Sequence, residues 1–219
     1  MGPEIGLYIV GGVILLLIIG GILTGISNSK RSQKLEALAN QLGFQYFSNH
    51  PPEQVNQLNT FELMTRGRAR LFSNSLTREN DGVQVAIFDY RYTTGSGKNS
   101  HTHHQTVVSM RSEDLRLPFF TMSPENVMHR IASAFGYQDI NFAEAPVFSK
   151  MFLLRGSEEA SIREFMNVER LHRLEAFRGI HLEARGDRFL CWYTGGRRKP
   201  EEVEKLLQTA FEILVILRG

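Results

Sequence analysis

Cysteine is almost missing from this chain: there is one in 219 residues, so no internal disulfide can form and a disulfide-stapled secreted scaffold is excluded. An excess of charge of one sign is also missing. Lys and Arg number 25 against 23 Asp and Glu, a net charge of +2, which is too small to mark a nucleic-acid binder. The common catalytic signatures GxSxG, HExxH and CxxC do not occur, and no cofactor is implied. Charge of either sign is absent from Ile5 to Ile26, and all Lys and Arg lie after Asn28. With 42% hydrophobic and 10% aromatic residues the remainder is rich enough in apolar side chains to exclude disorder.

The uncharged run, IGLYIVGGVILLLIIGGILTGI, holds 22 residues, 14 of them Leu, Ile or Val. As a helix it would measure about 33 Å, against a hydrocarbon core of about 30 Å. The sequence therefore predicts a transmembrane anchor over residues 1–29. A cleaved signal peptide would need a basic residue ahead of a shorter run, and the run has neither property. Only Glu4 precedes it, whereas Lys30, Arg31 and Lys34 follow, so the N-terminus is expected outside and the rest in the cytoplasm. Gly21 and Gly25 form a GxxxG at which a second helix can approach closely, which points to a homo-oligomer or a partner helix.

Residues 30–219 are expected to form one α+β domain, with a possible subdivision near residue 123. A helix begins at a Ser32 cap, buries Leu35, Leu38, Ala39 and Leu42, and ends at Gly43. Strands follow at Phe44–Phe47, Arg68–Ser75, Val83–Thr93, Gln105–Ser112 and Phe119–Met122. Asp81-Gly82 is a hairpin turn. In VQVAIFDYRY both alternating faces are apolar, as in a central strand. Ser123-Pro124-Glu125 reads as a helix start, Lys150–Arg155 as a strand, and Ser157 as the cap of a helix whose pattern runs to Gly179. Ile180–Ala184 and Arg188–Thr194 form a hairpin, and a last helix from Pro200 carries an apolar stripe. Short turns between consecutive strands imply a largely antiparallel sheet.

Four groups of residues carry chemistry. Gly95-Ser96-Gly97-Lys98 is not a phosphate loop, because Tyr92 stands where the first Gly is needed and Asn99 where Ser or Thr is needed. It reads as a mobile hairpin tip in which Gly95, Gly97, Lys98 and His101 meet a protein partner. His101, His103 and His104 are metal-ligand types, with His101 and His103 on one face of a strand and His104 on the other. Lys30, Arg31, Lys34, Arg66, Arg68 and Arg70 form a basic stripe suited to anionic headgroups. Asp89 is a carboxylate in an apolar strand and requires Arg91 or a distant base. Cys191, in FLCWY, reads as a small core hydrophobe.

FDYRYTTGSGK, HHQTVV, LPFFTMSPE and FLLRG, within residues 83–156, are similar to segments of an uncharacterised group of bacterial single-span membrane-anchored proteins. The resemblance implies a bacterial envelope protein and carries no activity. The expectation is an inner-membrane-anchored, non-catalytic interaction or assembly module that recruits or stabilises a protein partner. The alternatives are a metal-dependent enzyme using the three histidines, or a peripheral domain that senses anionic lipid.

Overall fold

The computed structural model describes residues 25, 27–125 and 138–219. The expected membrane span, Gly21, and the helix expected after Glu125 lie outside the described residues. Among the described residues no helix is long and apolar enough to cross a membrane.

Among the described residues eight strands form one sheet in the order β1-β2-β3-β4-β8-β7-β5-β6, antiparallel at every pairing. They are β1 (Gln45–Phe47), β2 (Arg68–Asn80), β3 (Val83–Thr94), β4 (His101–Ser112), β5 (Leu117–Pro124), β6 (Phe152–Gly156), β7 (Ile180–Gly186) and β8 (Arg188–Tyr193). Helices are α1 (27–42), α2 (Pro52–Leu58), α3 (Glu62–Thr65), α4 (Pro146–Met151), α5 (Glu159–Phe165), α6 (Val168–Leu174) and α7 (Pro200–Arg218). The fold is α+β. Because β4 pairs with β8, and β7 with β5, the sequence on both sides of residue 123 builds the same sheet.

The alternation in β3 sorts its side chains as the sequence implies. Val85 and Ile87 enter the larger core, under α1 and α7, with Leu35, Ala39, Leu206 and Ile213. Ala86, Phe88, Tyr90 and Tyr92 enter a second core on the opposite face, under α2 and α3, with Leu58, Phe61, Leu63 and Met64. Asp81 and Gly82, at φ 50° and 73°, are the two left-handed residues of the β2–β3 hairpin.

Several boundaries differ from expectation. Ser32 does not cap α1. It lies inside the helix, with its hydroxyl 3.1 Å from the Asn28 carbonyl and 2.7 Å from Asn74 Oδ1, so it does not act as a cap. Gly43 does end it: the Phe44 N–H donates to the Ala39 carbonyl at 2.8 Å with Gly43 at φ 70°, the Schellman arrangement. Ser123 and Pro124 finish β5, paired with Leu153 and Phe152. Lys150 and Met151 belong to α4, so the following strand starts at Phe152. Glu158, not Ser157, stands at the start of α5. The pattern after it breaks at Asn167, whose side chain accepts the Arg170 N–H at 2.9 Å and opens a separate helix.

Candidate functional site

The most highly connected polar group in the interior is built around Asp89. Strand alternation turns this carboxylate toward α1, and it is 3% exposed. Arg31, one helical turn into α1, meets it with two parallel bonds: Nη2 to Oδ1 and Nε to Oδ2, each 2.7 Å. Each carboxylate oxygen accepts one more bond, Oδ1 from the Thr106 hydroxyl and Oδ2 from Asn74 Nδ2, both at 3.0 Å. The third guanidinium nitrogen of Arg31, Nη1, donates to the Arg198 carbonyl at 2.7 Å, and the Arg198 N–H donates to Thr106 Oγ1 at 3.0 Å. Asn74 Oδ1 accepts from Ser32 at 2.7 Å and from Tyr46 at 2.8 Å. Every polar atom of the Asp89 carboxylate is therefore used, which is the condition under which a buried ion pair is tolerated.

The backbone makes this possible at Asn74. It sits at φ 51° where β2 slips register against β3 between Ser73 and Leu76. Such a bulge re-aims one side chain, and asparagine tolerates the left-handed conformation better than most residues. The group joins α1, four strands and the start of α7. Arg31 was expected to face lipid. It is turned inward instead, 12% exposed, because a carboxylate buried on β3 has to be paired.

The other expected site residues have these positions. Lys30 is exposed, and Lys34 is exposed and bonded to Glu201 at 2.6 Å. Arg66, Arg68 and Arg70 do not alternate along a straight strand, since Gly67 and Ala69 take φ 64° and 50° and β2 bulges between Arg68 and Leu71. Arg70 donates to the Met64 carbonyl at 2.9 Å. Arg68 crosses to the β3–β4 tip and donates to the Gly95 carbonyl and, at 3.1 Å, to Ser100 Oγ. The tip, expected to be mobile, is thus held by a neighbouring strand. Its Gly97–Asn99 turn is a single 3₁₀ turn. Gly95 is required there: at φ 76°, a Cβ would lie 2.1 Å from the Asn99 carbonyl oxygen. Lys98 and His101 are exposed on it. Gly25 lies at the start of the described helix, exposed.

His103 stacks on Tyr92 with ring centroids 4.7 Å apart, and its Nε2 lies 2.8 Å from Thr94 Oγ1. His104 pairs across from Arg91. Burial holds its pKa below the usual histidine value, and the nearby Arg197 and Arg91 charges add to that. No three His, Cys, Asp or Glu among the described residues are grouped to share a metal ion.

Two buried ionisable groups on β7 were not singled out from the sequence, although both fall on the face opposite Ile180, Leu182 and Ala184. Glu183 accepts the Leu63 N–H with both oxygens, at 3.0 and 3.2 Å, and so anchors α3. Burial pushes its pKa up to about 7. His181 lies flat against Trp192, with ring planes 4° apart and centroids at 5.0 Å. Its nitrogens meet Thr194 Oγ1 at 2.8 Å and Ser123 Oγ at 3.3 Å, and burial lowers its pKa to about 4. Cys191 is fully buried and burial pushes its thiol pKa up, which suits a core residue.

The fold and this geometry define an α+β domain with a single eight-stranded antiparallel sheet, its first helix fixed to the sheet by a buried ion pair. No family model and no curated protein matches the chain by sequence. Among solved structures it is similar to the mycobacterial trehalose monomycolate transport factor A, TtfA. The identity is 12% and the TM-score 0.60, over 86% of this chain and 94% of that one, a likeness of fold.

Proposed function

We propose that this chain is a non-catalytic accessory protein of a membrane transport or assembly system. Residues 5–26 would hold it in a bacterial inner membrane, with the α+β domain at the cytoplasmic face recruiting or stabilising a protein partner. The observation that carries this reading is the bond set joining Arg31 to Asp89, Thr106 and the Arg198 carbonyl. A span that continues into α1 then presents the sheet at a fixed attitude, which suits a scaffold. Anchoring also raises the effective concentration of the domain for any partner in the same membrane. The likeness to a transport factor supports the choice of system. The partner-contacting element is the β3–β4 tip, with Gly95, Gly97, Lys98 and His101, because it is exposed and held in one conformation by Arg68.

In-cell crosslinking of the tagged full-length chain tests this. Thr94 and His101 are paired across the sheet, so replacing residues 95–100 by Asn-Gly closes the hairpin with a two-residue turn and leaves the strands intact. A partner recovered near stoichiometry with the native chain, and lost with the shortened tip, is the expected result. Recovery of the chain alone overturns the recruiter reading, and capture that survives the shortened tip overturns the tip assignment.

A further inference from the structure

We propose that the end of the domain from which α1 starts rests directly on anionic membrane headgroups, a second membrane contact in addition to the span. This rests on the anchored reading above.

Contacts along α1 fix its direction. The Leu42 carbonyl at its far end accepts from Arg78, whose strand partner is Val85. Arg31 reaches Asp89, and Arg197 reaches Asn28 Oδ1 at 3.4 Å. Going back along α1 therefore means going forward along β3, toward the β3–β4 tip. From Asp89 to Thr94 the strand advances roughly 16 Å at about 3.3 Å per residue. From Arg31 back to Ser27, the first residue of α1, the helix advances only about 6 Å at about 1.5 Å per residue. The tip thus lies on the same side of the domain as the start of α1 and reaches beyond it.

Four chain segments meet at this end: residues 27–31, 66–70, 91–104 and 194–199. None contains an Asp or Glu. Lys30, Arg68, Arg91, Lys98, Arg197 and Lys199 are all exposed there. The acids closest to them are Asp89, buried beneath and held by Arg31, Thr106 and Asn74 with Arg197 at 3.9 Å, and Glu201 and Glu202 in the first turn of α7, bonded to Lys34 and to the Lys199 N–H. The opposite end of the sheet mixes both signs: Glu79 and Asp81 at the β2–β3 turn, Glu113 and Asp114 after β4, and Asp187 between β7 and β8 lie among Arg78, Arg111, Arg116 and Arg188, with Asp187 paired to Arg111 and Asp114 to Arg218. The net charge is small, yet the basic residues without acids in their own segments gather at one end. The basic end is also the one from which the apolar run departs, and this selects a membrane over an acidic protein or a nucleic acid as the occupant. The tip residues Gly95 to Ser100 include no apolar side chain, so the contact stays among headgroups.

The test uses the full chain in lipid nanodiscs with a fluorophore on Ser96→Cys. Cys191 is fully buried and stays unlabelled. Discs of phosphatidylcholine are compared with discs containing about one third phosphatidylglycerol, and quenching by neutral acrylamide reports exposure of the tip. The expected result is a tip shielded in anionic discs, exposed again in neutral discs or at high salt. Each charge removed in Arg91→Gln, Lys98→Gln and Lys199→Gln lowers the shielded-to-exposed ratio by about fivefold. These side chains are exposed, so the unfolding midpoint stays unchanged. Equal quenching in both lipids, salt-insensitive shielding, or shielding only after an acidic protein is added overturns the proposal and leaves the anchored reading standing. A chain that does not co-purify with the discs overturns both.

Discussion

Replacing Arg31 by methionine separates two roles for the first helix. Methionine keeps the length of the side chain and removes the guanidinium. Asp89, 3% exposed, keeps its bonds from Thr106 and Asn74 but loses two charge-assisted ones of 2.7 Å. Removing one member of a buried ion pair costs about 3–5 kcal/mol, because the other charge stays buried. The Arg198 carbonyl loses its donor as well, which adds about 1 kcal/mol. For a domain of this size about 4 kcal/mol lowers the melting temperature by roughly 8–16 °C. Adding Asp89→Asn to Arg31→Met removes the stranded charge and should recover about 2 kcal/mol. The assay is urea and thermal unfolding of the full chain in detergent, with all four members of the double-mutant cycle. A loss below about 0.5 kcal/mol for Arg31→Met would refute the reasoning, since that is what an exposed, lipid-facing arginine would give. Additivity of the two changes would refute it equally.

The pKa of Glu183, raised to about 7 by burial, makes the neutral acid the favoured form in the folded state below about pH 7. Its folded pKa lies above the unfolded one, so its contribution is complete below about pH 4 and fades as pH rises through about 7. The difference in urea stability between native chain and Glu183→Gln should shift in favour of the glutamine variant between pH 5 and 8, and a pH-independent difference would contradict this. Cys191, fully buried with its thiol pKa pushed up, should resist a thiol reagent in the folded protein and react at once in denaturant. Rapid labelling under native conditions would show that β8 opens.

How much the sequence disclosed depended on how local each signal was. The two-faced alternation of Val83–Tyr92, the Asp81-Gly82 turn and the stripe of the last helix are short-range patterns, and each appears in the structure as read. The α2–α3 segment could not be read because its helices are seven and four residues long, too short for a helical period. The basic stripe was misread in part because Gly67 and Ala69 at positive φ break the period of two. The Asp89 requirement for a base was legible, but its partner was not. Arg31 is 58 residues away, beyond any local pattern, and the link through Asn74 depends on a bulge visible only as an asparagine in a strand. The gathering of basic residues at one end is invisible in a net value of +2 and emerges only when four segments are brought together.

The bond between Arg31 and the Arg198 carbonyl also imposes an order on biosynthesis. It closes a loop of 167 residues. At about 5–20 residues per second, roughly 8–33 s pass between synthesis of the two ends. During that interval the first helix can meet Asp89 on β3 but not the junction that leads into α7. The β1–β4 meander must therefore wait with one face of its sheet covered only by α1, until the last helix arrives to supply Leu206, Ala210 and Ile213. Completion of this domain is thus timed by its C-terminus, and any shortening there leaves the earliest-made helix without its final fastening.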